Sequence, residues 1–180
     1  NSNNNVTAWV MKQYSPEGVA QLMHDLGVVS HIDPVVSLCL GTSEVTLYEM
    51  VSAYSTFANR GVHIEPIAIT SIEDKYGNTI SQFVSTEKEV MNEEASYMMI
   101  NLLEGVINQG TGRRLRGPAY QLRNKMGGKT GTTQEHADGW FMSVMPNLVS
   151  GVWVGGEDRD IHFSSMAYAQ GAASGLPICA

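Results

Sequence analysis

Only two cysteines occur in the 180 residues, Cys39 and Cys179. They lie far apart, with neither a redox C-x-x-C nor metal-ligand spacing, and are expected to be separate thiols rather than a bridge. The five histidines (His24, His31, His63, His136 and His162) are scattered and form no H-x-x-x-H pair. No metal and no other cofactor is therefore expected. Positive charge is scarce as well: 11 Lys and Arg stand against 18 Asp and Glu, a formal net charge of −7. That balance disfavours nucleic acid and an anionic membrane surface as partners. No apolar run is long enough to span a bilayer. There are no internal repeats, and the only biased segment is the asparagine-rich start.

At this length the chain is one domain or most of one, long enough to bury a core. The front half reads as helical. Val6, Trp9, Val10 and Tyr14 recur at helical spacing. Ser15 as N-cap and Pro16 at the first helical position open a second helix, with Val19, Leu22, Met23 and Leu26 on one face and Gly27 at its end. Thr46-Leu47-Tyr48-Glu49 is a capping box. The helix behind it is expected to bury Leu47, Met50, Val51, Tyr54, Phe57 and Ala58 and to close at Gly61. Asn92 caps a fourth helix, with Glu93 and Glu94 in the first turn where the dipole favours acids. Its apolar stripe is Ala95, Met98, Met99, Leu102, Leu103, Val106 and Ile107, and it stops at Gly110. Residues 67–72 and 79–83 flank a turn at 74–78 and read as a hairpin. Three more strands are expected at 129–133, 139–145 and 148–155, the last two joined at Pro146-Asn147. Helices ahead of antiparallel strands predict an α+β fold, with the helical part packed on an antiparallel sheet.

The stretch richest in chemistry is Lys129-Thr130-Gly131-Thr132-Thr133. The threonines favour an extended strand. In a strand, Lys129, Gly131 and Thr133 share one face and Thr130 and Thr132 the other. Gly131 removes a side chain beside the lysine and lets another group approach. A lysine, hydroxyls and strand N–H groups together suit a carboxylate at the end of a peptide-like ligand. The plainer alternative is a solvated strand lysine. A phosphate loop ending in Gly128-Lys129-Thr130 would need glycine at 123, where Arg123 stands, and a helix after Thr130, where a hairpin follows.

These residues resemble the K-T-G element of penicillin-binding proteins and serine β-lactamases. Residues 40–46, LGTSEVT, and the run from Glu49 through Ala53-Tyr54 and Phe57-Ala58-Asn59 to Gly61 are similar to a segment of class A, bifunctional penicillin-binding proteins. Gly110-Thr111-Gly112-Arg113 matches that family's GTGR turn, and residues 138–141 and 146–155 look like the strand pair after its K-T-G-T-T. The resemblance covers nearly the whole chain, in family order. It implies a β-lactamase/transpeptidase-like fold, with residues 1–180 forming the C-terminal part of a transpeptidase domain whose N-terminal part is missing. The S-x-N element of the family maps onto Ser2-Asn3-Asn4.

The resemblance also implies roles. A serine attacks a D-alanyl-D-alanine stem peptide and forms an acyl-enzyme, and an amine from a neighbouring stem peptide takes the acyl group. Catalytic roles fall to Ser2, as proton relay to the leaving amine, to Asn4, which holds the nucleophile's lysine and the donor amide, and to Lys129, which polarises Ser2. Substrate-binding roles fall to Thr130, Gly131, Thr132 and Thr133. The Thr130 and Thr132 hydroxyls hold the donor carboxylate, and the Thr132 N–H completes an oxyanion hole. Gln134, Glu135 and His136 follow the motif as a solvated loop or as acceptor contacts. The expected partners are peptidoglycan stem peptides and β-lactams. The expected location is the periplasm or the outer face of the cytoplasmic membrane, with the anchor and a glycosyltransferase in the missing part.

The nucleophile itself, S-x-x-K, has one match, Ser85-Thr86-Glu87-Lys88. It falls after the S-x-N element, whereas the family order places it before. Its acidic neighbours Glu87, Glu89, Glu93 and Glu94 favour a charged ammonium, the wrong state for a base. The nucleophile is therefore expected upstream of Asn1, in a longer protein of which this chain is a piece. Such a piece leaves a sheet edge or core face uncovered, which favours self-association. A β-lactamase or D,D-carboxypeptidase of the same fold, or a non-enzymatic penicillin sensor, shares these motifs. For the β-lactamase no water-activating group is identifiable.

Overall fold

A computed structural model describes residues 2–133, 137–158 and 160–180. Gln134, Glu135 and His136 lie outside the described residues. Helix α1 (Asn4–Met11) is capped by the Asn3 side chain, which accepts from the N–H groups of Asn5 and Val6. Helix α2 (Pro16–Asp25) begins where its sequence dictates, with Ser15 Oγ accepting from the Gly18 N–H at 3.0 Å. A 3-10 turn (Val36–Leu40) and helix α3 (Leu47–Ala58) complete the front half. Strand β1 (Val62–Ile64) pairs antiparallel with β4 (Glu87–Glu89), and between them in sequence β2 (Ser71–Glu73) and β3 (Thr79–Gln82) form a hairpin. Helix α4 (Glu93–Gln109) is capped by Asn92, as expected. A second 3-10 turn (Arg113–Arg116) leads to the main sheet, β5 (Gly127–Thr132), β6 (Asp138–Met145) and β7 (Leu148–Gly155), antiparallel in that order. Two one-turn helices close the chain, α5 (Met166–Ala169) and α6 (Leu176–Cys179).

Two cores form. Met11, Ala20, Leu26, Val28, Ile32, Leu38 and Ala53 gather the front helices. Ile107, Leu115, Met126, Phe141 and Leu176 join α4 and the C-terminal turns to the sheet. Helix α4 lies close on β5 because the strand begins with two glycines. A Cβ on Gly127 would stand 2.8 Å from Leu103 Cβ, and one on Gly128 would stand 2.8 Å from the Met142 carbonyl and 2.9 Å from Ile107 Cδ1. Neither distance is tolerable for carbon, so only glycine permits this approach. Cys39 and Cys179 are free and half-buried, one against each core.

Helix α3 departs from its apolar pattern. Its fully buried residues are Glu49, Ser52, Ala53 and Thr56, whereas Leu47, Met50, Val51, Tyr54, Phe57 and Ala58 are only half-buried. Small side chains let α3 approach the end of α2, where a Cβ on Gly27 (φ +96°) would lie 3.3 Å from Ser52 Oγ. The stripes of α1 and α4 are likewise only partly covered. Val6, Trp9 and Val10 are exposed, Tyr14 lies beyond the helix and is exposed, and on α4 Met98 and Leu102 face solvent while Leu103 and Ile107 are buried. The hairpin strand expected at 67–72 shortens to Ser71–Glu73. The β1–β4 pair is not signalled in the sequence, because β4 is Glu-Lys-Glu and carries no apolar alternation.

The Glu49 carboxylate ties the front half together. Buried at 4% exposure, it accepts from the Val29 and Ser30 N–H groups, the Ser30 hydroxyl, and the Thr46 N–H and hydroxyl. Burial raises its pKa, but the bonds from Thr46 and Ser30 outweigh it and bring it from 4.5 down to about 2. A depressed carboxylate stabilises the fold fully above its unfolded pKa and loses that contribution as pH falls from about 4.5 towards 2. Glu49→Gln is expected to cost roughly 3 kcal/mol at pH 7. In urea denaturation the gap to wild type should narrow progressively below pH 4.5; a gap that stays constant to pH 3 (about the middle of that window) contradicts this role.

Candidate active site

Strand β5 is the edge of the main sheet among the described residues, paired on one side with β6 in the register Lys129 to Met142, Thr130 to Phe141, Gly131 to Trp140 and Thr132 to Gly139. Gly131 serves a close approach, since a Cβ there would stand 3.0 Å from the Trp140 Cβ. Lys129 points along the same face and meets the loop ahead of α1. Its ammonium donates to Ser2 Oγ at 3.1 Å and also to the Thr130 carbonyl. Ser2 and Lys129 are 127 positions apart in sequence. The Asn3 cap fixes the start of α1 immediately after Ser2, which sets where that serine sits. Burial lowers the Lys129 pKa from the ordinary lysine value.

The other candidates divide. Thr130 is buried at 8% exposure, and its hydroxyl lies 2.8 Å from the Thr111 hydroxyl. Thr132 is exposed, and its hydroxyl accepts from the Gly171 N–H at 3.2 Å. Thr133 closes the β5–β6 hairpin instead of facing outward: its hydroxyl accepts from the Asp138 N–H at 2.9 Å, and its own N–H donates to the Asp138 carbonyl. Asp138 is held in turn by Trp153, whose indole N–H donates to Oδ2 at 3.1 Å. Asn4 is the first residue of α1, is exposed, and makes no side-chain hydrogen bond to Lys129 among the described residues. Lys88 lies on β4, in a different sheet from Lys129, and is committed to Asp25 at 2.7 Å. Two partners escaped the sequence reading. Thr111 was visible as part of a glycine-flanked turn, but nothing local marks it as a neighbour of Thr130, and Gly171 carries no signal at all. No group of three or more His, Cys, Asp or Glu suited to a metal occurs among the described residues.

Residues 31–157 match the family model of the penicillin-binding protein transpeptidase domain, which is more than half of the chain. The chain belongs to this family. Ser2 lies ahead of the matched range. Penicillin-binding protein 1A of Aquifex aeolicus is 35% identical over 150 residues, which cover 83% of this chain and 20% of that protein. Penicillin-binding protein 1B of Haemophilus influenzae is 33% identical over 128 residues, covering 71% and 16%. The chain thus spans about a fifth of the length of the curated relatives it matches. Among solved structures, penicillin-binding protein 1A of H. influenzae superposes with a TM-score of 0.80 at 22% identity, over 89% of this chain and 29% of that one. PonA1 of Mycobacterium tuberculosis, in complex with penicillin V, gives 0.73 at 23% identity over 90% and 46%. The expected α+β transpeptidase fold is therefore the observed one.

The burial of Lys129 has a direct readout. In a spectrum of 13C-methylated lysines, the Lys129 resonance, identified by its loss in Lys129→Met, is expected to titrate below the ordinary lysine value. If no resonance titrates early, the desolvated ammonium is contradicted.

Proposed function

We propose that this chain is the part of a serine D,D-transpeptidase domain that supplies the S-x-N and K-T-G elements, and that the nucleophilic serine and its lysine come from a segment outside these 180 residues. The observation that carries this is the 3.1 Å contact between Lys129 Nζ and Ser2 Oγ. It joins two elements far apart in sequence around one cation, beside an exposed strand edge.

The chemistry proposed is that of the family, and the Lys129–Ser2 contact supports it. The serine oxygen bonds to the carbonyl carbon of the penultimate D-alanine, and the C–N bond to the terminal D-alanine breaks. The serine's proton passes to its lysine partner and is returned through Ser2 to the departing amine. Lys129 next to Ser2 stabilises the Ser2 oxygen during that relay, and its incomplete hydration strengthens its field at the donor carboxylate. Thr130 serves the same carboxylate. A hydroxyl has one proton and two lone pairs, so the contact with Thr111 leaves the Thr130 hydroxyl with hydrogen-bonding capacity for the ligand. The Thr132 N–H, on the free side of β5, is one oxyanion donor, and losing such a donor costs on the order of 3 kcal/mol of barrier. Asn4 faces solvent at the start of α1, where it is available to the incoming lysine and the donor amide. An amine of a second stem peptide then attacks the ester, releases the serine and forms the cross-link. A β-lactam enters as a donor mimic. The site works on the outer side of the cytoplasmic membrane, where peptidoglycan is assembled, and the anchor and glycosyltransferase belong to the rest of the parent protein.

Labelling with a fluorescent penicillin tests this. An N-terminally extended protein is expected to label covalently, and the 180-residue chain is not. In the extended protein Lys129→Ala should slow labelling by about a hundredfold, and Thr111→Val by about fivefold, the value of roughly one hydrogen bond. Covalent labelling of the short chain contradicts the placement of the nucleophile and returns Ser85 as a candidate.

A further inference from the structure

The scarce positive charge is concentrated. Of 11 Lys and Arg residues, Arg113, Arg114, Arg116, Arg123, Lys125 and Lys129 fall within one stretch, and no Asp or Glu occurs from position 105 to 134. The remaining chain holds 5 basic against 18 acidic residues. The stretch is a folded ledge. Leu115 is fully buried in the core with Phe141 and Leu176, and its carbonyl accepts from the Leu122 N–H at 3.0 Å. The Arg116 guanidinium donates to the Leu122 and Asn124 carbonyls, each at 2.8 Å, and so shapes the loop from inside. Arg114 lies over the Tyr120 ring at 5.7 Å, which fixes its direction. Arg113, Arg114 and Arg123 are exposed and have no carboxylate partner among the described residues, whereas Lys125 reaches Glu104.

The ledge adjoins the site at a defined end. Thr111, two residues before Arg113, contacts Thr130, and the loop carrying Arg123 runs into the start of β5 at Gly127. In the reaction proposed above, the donor's reacting carbonyl sits at the Thr132 N–H and its terminal carboxylate reaches the Thr130 hydroxyl beside that of Thr132, which lays the donor along β5. The leaving D-alanine then runs from Thr132 to Thr130, in the direction of Gly127. The attacking amine must take the place of the leaving amine, so the peptide that carries it enters over the same end. We propose that Arg113, Arg114 and Arg123 form a docking ledge for the acceptor, an acidic stem peptide whose free carboxylates pair with these guanidinium groups. The proposal rests on the transpeptidase reading and adds the side from which the second substrate arrives. Guanidinium groups suit it, because they bind carboxylates in bidentate pairs and remain charged at any working pH.

The test uses the N-terminally extended protein, a thioester donor, and two synthetic acceptors: a stem peptide with a side-chain amine and free carboxylates, and the same peptide with its carboxylates converted to carboxamides. Arg113→Gln/Arg123→Gln is expected to raise KM for the acidic acceptor about tenfold, on the order of one charge-assisted contact, with the carboxamide acceptor unmoved. Added salt should raise KM for the acidic acceptor in the unmutated protein and much less in the variant. An unchanged KM, an equal rise for both acceptors, or loss of penicillin labelling in the variant overturns the ledge and leaves the transpeptidase reading intact. Failure of the unmutated extended protein to take penicillin overturns that reading and the ledge together.

Discussion

The site depends on how closely helix α4 lies on strand β5. That approach is set by Gly127 and Gly128, where any side chain would collide with Leu103, Ile107 or the Met142 carbonyl. Because the helix covers the start of the strand, Met126 and Thr130 are buried while the strand's other edge carries no neighbouring strand among the described residues. A single strand thereby serves as core on one side and leaves a free edge on the other. A bulkier residue at either glycine would displace Lys129 from the sheet face where it meets Ser2.

Lys129 itself sits at a compromise. Burial disfavours its charge, and the Thr130 carbonyl and Ser2 hydroxyl supply hydrogen bonds that an exposed lysine would take from water. A partly dehydrated ammonium costs stability but interacts more strongly with an anionic ligand. The hydroxyl ladder follows the same logic. Thr130 and Thr132 are each braced by one protein partner, Thr111 and Gly171, and each oxygen has capacity left for a ligand. Glu49 does comparable work at a distance, holding the loop at Val29 and Ser30 to the start of α3.

What the sequence made legible was local. Ser15, Thr46 and Asn92 cap helices where their spacing says they should, since a cap is satisfied within three or four residues. The three-stranded sheet was readable from alternation and one tight turn. Pairings that join distant, short segments were not. Glu87-Lys88-Glu89 forms a strand only because Val62, His63 and Ile64 present it with a partner. The apolar stripes of α1 and α4 predicted burial for side chains such as Trp9 and Leu102 that remain exposed in this chain. Periodicity reports which face is apolar, and not what covers it. Ser2 was singled out from family order and the helix behind it, its contact with Lys129 is visible only in the fold, and Thr133 had to be seen in place before its hydroxyl could be assigned to the hairpin.

The central claim is that Ser2 and Lys129 act as one unit. A double-mutant cycle on penicillin acylation in the N-terminally extended protein tests it most directly, with Ser2→Ala, Lys129→Met and the pair measured together. If the two groups share one function, the double variant is no slower than the slower single variant, and the cycle shows a large coupling. Rates that fall by the product of the two single effects would show that they act independently, and would contradict the account.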